Sequence, residues 1–156
     1  MARWVDFAAD QPELSQRVKR LFERQKHMTM ATLRRDGSPR ISGTEVEFNA
    51  EDLLLGMMAG ARKVFDLVRD DRLALHSPSV DPPPEDQSAW PGEAKIAGRA
   101  IPAGPVTTEE ASEQPDGEMF IADITEAVIT GLNAEATRLV VESWTPERGL
   151  RRVERD

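Results

Sequence analysis

The stretch MATLRRDGSP, Met30 to Pro39, decides how the chain is read. Its Asp36-Gly37 pair is a strong hairpin signal, because glycine takes positive φ at no steric cost and aspartate folds back on its own backbone. An apolar, Thr-rich run from Met28 to Leu33 leads into the pair. A second run, Pro39 to Phe48, leaves it, with Ile41, Val46 and Phe48 as apolar anchors. Asn49 to Asp52 carries another turn signal, and Leu53 to Met58 reads as a third strand. The spacing predicts an antiparallel meander of three strands joined by short turns.

Upstream, Leu14, Val18, Leu21 and Phe22 fall at i, i+4, i+7 and i+8. That stripe predicts a packing helix over about residues 11–25, with Asp10 as N-cap and Pro12 in the first turn. Basic residues toward its end, among them Lys19, Arg20, Arg24 and Lys26, suit the helix dipole. His27 would close that helix. Downstream, Gly60 opens a short helix, Ala61 to Arg69, with Val64, Leu67 and Val68 on one face. Leu73 to His76 reads as a fourth strand. Pro78 to Gly92 holds five prolines and reads as an irregular loop. Glu93 to Ile101 is a fifth strand, and the acidic Thr107 to Gln114 suits one or two helical turns. Met119 to Thr130, Arg138 to Trp144 and Leu150 to Val153 complete the strands. The expectation is a mainly β chain of six to eight antiparallel strands with peripheral helices, in one domain spanning 1–156. Strand–helix–strand alternation does not recur, which argues against a doubly wound parallel sheet. A small barrel is the natural closure, because it removes exposed edges.

Composition narrows the function. There are 20 Lys and Arg against 28 Asp and Glu among 156 residues, a net charge of −8. Nucleic acids and anionic membranes call for a basic face instead. The absence of cysteine excludes disulfides, thiolate metal sites, iron–sulfur clusters and a cysteine nucleophile. The two histidines, His27 and His76, lack the spaced partners of a metal site. No Gly-x-Ser-x-Gly elbow, Walker loop or Rossmann fingerprint is present. No apolar run approaches the roughly 20 residues of a membrane span, and Met1 to Asp10 shows no signal peptide. A cytoplasmic protein is expected.

One segment stands out chemically: LLLGMMAGARKV, Leu53 to Val64. A strand runs into a small-residue turn, and Arg62 and Lys63 sit at a helix start. Cations there oppose the positive end of the helix dipole. An anion held between them and the free amides would resolve the conflict. Solvation of both cations beside Asp66 and Asp70 would do so too, and the residues alone leave both readings open.

The hairpin stretch resembles the opening hairpin of the pyridoxamine 5′-phosphate oxidase-like proteins: apolar-Ala-Thr, a short polar stretch, Asp-Gly, one residue, Pro. The Gly60-Ala61-Arg62-Lys63 helix start and Leu67 to Leu75 (LVRDDRLAL) are similar to the family's next elements, in order. The resemblance covers Leu21 to His76 and is looser after that, through Gly98-Arg99-Ala100 and the long strand from Phe120. It implies a split β-barrel, a homodimer and an FMN cofactor. By position, Arg62 and Lys63 would hold the FMN phosphate. Arg40, Ile41, Ser42, Gly43 and Thr44 would line the flavin and ribityl chain. Met57 and Met58 would lie near the ring or phosphate, and residues from Trp90 to Lys95 would reach across the dimer.

The implied function is an FMN-dependent oxidoreductase acting on a small molecule. Two alternatives accompany it. One is a reductase using a deazaflavin coenzyme, whose acidic tail would call on Arg34, Arg35 and the first-helix cations. The other is a non-catalytic module binding flavin or haem. The family's pyridoxine-phosphate oxidases carry extra basic residues near the C-terminus that grip the substrate phosphate. Here Trp144 to Val153 holds arginines without that terminal signature, and Glu93 stands where those enzymes tend to carry a polar amide. Vitamin B6 oxidation is therefore not expected.

Overall fold

In the computed structural model, which describes residues 1–106 and 117–156, the hairpin forms where its turn residues place it. Strand β1 (Met28–Leu33) pairs antiparallel with β2 (Pro39–Phe48), Leu33 opposite Pro39. Gly37 sits at φ 84°. The Asp36 carboxylate accepts from the Ser38 amide and hydroxyl at 2.9 and 2.6 Å, which closes the turn.

The remaining elements are α1 (Trp4–Asp10), α2 (Pro12–Phe22), β3 (Leu53–Met58), α3 (Arg62–Arg69), β4 (Arg72–His76), β5 (Glu93–Val106), β6 (Gly117–Leu132), β7 (Leu139–Thr145) and β8 (Gly149–Arg155). Six strands close in the order β3-β2-β1-β4-β5-β6, because β3 also pairs with β6. Leu55 faces Phe120 and Gly56 faces Met119 at that seam. The far half of β6, Ala127 to Leu132, instead takes β7, which takes β8. So one long strand both closes the barrel and carries a hairpin beyond it. Gly98 marks a register shift against β6. A Cβ there would lie 2.2 Å from the Asp123 carbonyl oxygen, so the strand crosses its neighbour at a point that only glycine allows.

Alternate residues of each strand fill the interior. Met30, Leu53, Leu55, Leu75, Ile96 and Ile124 are fully buried there. The N-terminal helices cover one flank through an aromatic cluster: Trp4 packs edge-on to Phe7 at 5.4 Å and to Phe48 at 4.6 Å, and Phe7 lies 4.6 Å from Trp144.

This N-terminal region corrects the sequence reading. Two helices stand where one was expected over about 11–25. Asp10 ends α1 and accepts the Trp144 indole N–H at 2.7 Å, while Gln11 takes the N-cap place of α2. Helix α2 stops at Phe22 because residues 23–27 offer nothing apolar to bury, so His27 lies in a linker and does not end a helix. Seven residues are too few to form a stable helix alone. Helix α1 is held by contacts from elsewhere: Arg3, just before it, grips Asp52 through Nε and Nη2 at 2.6 and 2.5 Å. The turns expected over Thr107 to Gln114 lie outside the described residues. The proline-rich loop is irregular apart from a 3-10 turn at Gln87–Ala89.

Candidate functional site

Strand β3 ends at Met58, Gly60 turns the chain at φ 76°, and α3 begins with Ala61 as its N-cap. Alanine has no side chain to accept the first-turn amides, so the helix start is uncapped. Arg62 and Lys63 therefore add two positive charges to an end that is already positive.

Successive helix residues point about 100° apart, and the two cations open onto different concavities. Lys63 lines a groove of about 1020 Å³ together with Gly43, Thr44, Met57 and Met58. The linker from Glu23 to His27 lines it too. Lys63 Nζ donates to the Gly43 carbonyl at 2.5 Å, and burial holds the Lys63 pKa below the usual lysine value. Arg62 lines a second cavity of about 600 Å³ with Arg34, Arg35, Arg40, Phe65 and Arg69. Five arginines face two aspartates there.

The stretch Arg40 to Thr44 lies on one strand, so its side chains alternate between two faces. Thr44 is buried, Arg40 and Ser42 are half-buried, and Ile41 is 75% exposed on the opposite face. Ile41 and Ser42 line neither cavity. A Cβ at Gly43 would meet nothing within 4 Å among the described residues, so the outer face of β2 has open space there. Arg40 Nε donates to Asp66 Oδ2 at 2.6 Å.

Asp66 is the residue that sequence reasoning missed. In the sequence it figures only as a neighbour of Arg62 and Lys63, in the reading that leaves both cations solvated, yet it is only 2% exposed. Its carboxylate accepts Thr32 Oγ1 at 2.8 Å and Arg69 Nη2 at 3.1 Å besides Arg40. Burial pushes the Asp66 carboxyl up, but those hydrogen bonds pull it down to about 2. The available signal was Thr32, a polar residue at an inward position after Met28 and Met30. A buried hydroxyl needs a partner.

The histidines face carboxylates: His27 Nε2 is 3.1 Å from Glu45, and His76 Nε2 is 3.3 Å from Glu93. Glu93 also takes Lys95 at 3.2 Å. Among the described residues no cluster of His, Asp and Glu could hold a metal ion.

No family model and no curated protein matches the sequence. Solved structures do. A pyridoxamine 5′-phosphate oxidase-related, FMN-binding protein from Nostoc punctiforme PCC 73102 matches with a TM-score of 0.64 at 8% identity, over 97% of this chain and 99% of that one. The chain has the split-barrel fold of the pyridoxamine 5′-phosphate oxidase-like proteins. A heme-binding protein from Mycobacterium smegmatis shares the split barrel at a TM-score of 0.59 and 16% identity, over 88% of this chain and 60% of that one. An F420 reductase does so at 0.50 and 17%, over 70% and 94%. At such identities the likeness is one of fold, and split barrels with different ligands share it.

Proposed function

We propose that the chain is an FMN-dependent oxidoreductase acting on a small molecule. The observation that carries this reading is the uncapped, doubly basic start of α3, whose Lys63 lines the groove. A partly buried lysine whose only acceptor among the described residues is a backbone carbonyl, beside helix amides without a side-chain cap, suits a phosphate. In this reading Lys63 approaches the phosphate from the groove and Arg62 from the arginine cavity. The open face above Gly43 leaves room for a flat ring against β2, and a groove of about 1020 Å³ is large enough for a cofactor-sized ligand. Thr44, Met57 and Met58 would line it.

When bound, FMN supplies hydride transfer. The chain's part is to hold and orient it and to keep water from its reactive face. The C-terminal stretch Trp144 to Val153 holds arginines but lacks the basic terminal signature with which the oxidases grip a substrate phosphate. That departure supports a substrate other than pyridoxine phosphate.

The site reads as one half of a homodimer. Ile41, Met58, Phe65 and Val68 are 59–78% exposed, on β2, β3 and α3, the elements that bound the two cavities. The outward residues of β1, β4 and β5 include Thr29, Ala31, Ala74 and Ala97, small enough for a second sheet to approach closely. In this reading a second copy covers the ring and the exposed apolar side chains, and the Trp90–Lys95 segment helps to complete the site.

The excess of arginine in the smaller cavity favours one alternative, a deazaflavin coenzyme with an acidic tail. Titration of the ligand-free protein with FMN and with the deazaflavin coenzyme, followed by absorbance and fluorescence, tests both. Micromolar FMN binding, with reduction and reoxidation of the bound flavin, is expected. Binding of neither coenzyme sinks the oxidoreductase reading.

A further inference from the structure

The buried carboxylate of Asp66 has no part in the function proposed above, yet it is the most heavily partnered acid near the site. It accepts from β1 through Thr32, from β2 through Arg40, and from its own helix through Arg69. Only the Nε edge of Arg40 is used in this way. Among the described residues its two terminal nitrogens make no hydrogen bond, and Arg40 lines the same cavity as Arg62. Arg62 likewise donates to no acceptor among the described residues.

A guanidinium is a rigid planar fork, so gripping one edge fixes the direction of the other. With Nε tied to Asp66, the outer edge of Arg40 is committed to the cavity before any ligand arrives. Without that tie, Arg40 would be repelled by Arg69 and Arg62 and would be free to turn to solvent. Ordering it on binding would then cost conformational entropy that the present arrangement has already met on folding.

We propose that the arginine cavity binds a phosphate-type anion, and that Asp66 is a positioning residue that presents Arg40 to it alongside Arg62. The inference rests on the reading above for the identity of the anion's owner, the flavin, but not for its chemistry. It makes a prediction of opposite sign to simple electrostatics. Asp66→Asn removes one negative charge from the cavity, and a charge-only account expects tighter anion binding. The positioning account expects weaker binding, because the fork is released.

The test measures inorganic pyrophosphate, FMN and riboflavin binding to wild type and Asp66→Asn by calorimetry, with thermal unfolding as a check on folding. The expected result is pyrophosphate binding by the wild type and a loss of about tenfold or more in Asp66→Asn for both pyrophosphate and FMN, the weight of one charge-assisted contact. Riboflavin, which has no phosphate, should change little. General damage to the fold would instead weaken riboflavin in step with FMN. Equal or tighter pyrophosphate binding by Asp66→Asn overturns the proposal, as does a wild type that binds no pyrophosphate. Pyrophosphate binding without FMN binding leaves it standing and removes the flavin reading instead. Should Asp66→Asn fail to fold, Arg40→Lys keeps the charge but not the fork. The same loss is expected from it, and unchanged pyrophosphate binding by Arg40→Lys overturns the proposal equally.

Discussion

Lys63 joins two unfavourable circumstances, a helix N-terminus and partial burial, and both favour its neutral form. A bound phosphate reverses both. Replacing Lys63 with Ala should weaken FMN by roughly tenfold to a hundredfold, matching a charge-assisted hydrogen bond of about 1.5–3 kcal/mol. Riboflavin affinity should hardly move, and the ligand-free protein should unfold at the same temperature or slightly higher. Parallel titrations with the two flavins separate a phosphate contact from general damage. Asp66 makes a different prediction. Its carboxyl lies at about 2 when folded and near 3.9 when unfolded. A depressed acid contributes stability above its unfolded value and loses it as pH falls through its folded one. Asp66 should therefore contribute on the order of 2 kcal/mol at neutral pH, lost between about pH 4 and pH 2. Acid-unfolding curves of wild type and Asp66→Asn should converge across that window. Curves that stay parallel would show that the carboxylate is not stabilised by folding.

Among the elements, β5 and β2 carry glycines with opposite constraints. At Gly98 a Cβ would meet the Asp123 carbonyl oxygen at 2.2 Å, a backbone atom that cannot move without breaking the β5–β6 pairing. Gly98→Ala should cost about 1–3 kcal/mol, as overpacking does. Gly43 has no heavy atom of the described residues within 4 Å of its Cβ position. Gly43→Ala should leave stability unchanged or slightly higher, because alanine loses less backbone entropy in a strand. It should still weaken FMN, by occupying the space above β2. Urea unfolding and FMN titration of the two variants should give opposite patterns: one loses stability, the other affinity.

For the molecule as a whole, the barrel leaves large apolar side chains outside. Ile41 is 75% exposed, Met58 78% and Val68 72%. A second copy closing over them predicts a dimer at micromolar concentration by light scattering, since two-fold pairs are the commonest assemblies. Val68→Glu or Ile41→Glu should shift it toward monomer and weaken flavin binding together. A wild type that stays monomeric with FMN bound would count against a shared site. FMN-loaded protein should also show no appreciable turnover of pyridoxamine phosphate, and robust oxidation would mean that the departures at the C-terminus and at Glu93 had been misread.

The strands, their turns and the basic start of α3 were legible in the residues because each is decided locally. Asp36 and Gly37 form their turn within a few residues of chain, and Arg62-Lys63 follows its small-residue turn directly. Residues 40–44 could be placed on one strand for the same reason. What they face could not be read, because one strand divides its side chains between two surfaces and only packing decides which surface meets a cavity. Helix α1 was illegible because its stability comes from Asp52, Phe48 and Trp144, distant in the chain. The closure of β3 on β6 joins Leu55 to Phe120, and the grip of Asp66 on Arg40 spans 26 residues. Neither leaves a periodic trace, because such pairings form only when the folded chain brings the partners into register. The sequence by itself determined the strands, their turns and the charge at the helix start. The tertiary structure alone decided that Arg62 and Lys63 open onto separate cavities and that Asp66 is buried among arginines, since helix direction and burial are properties of the packed molecule.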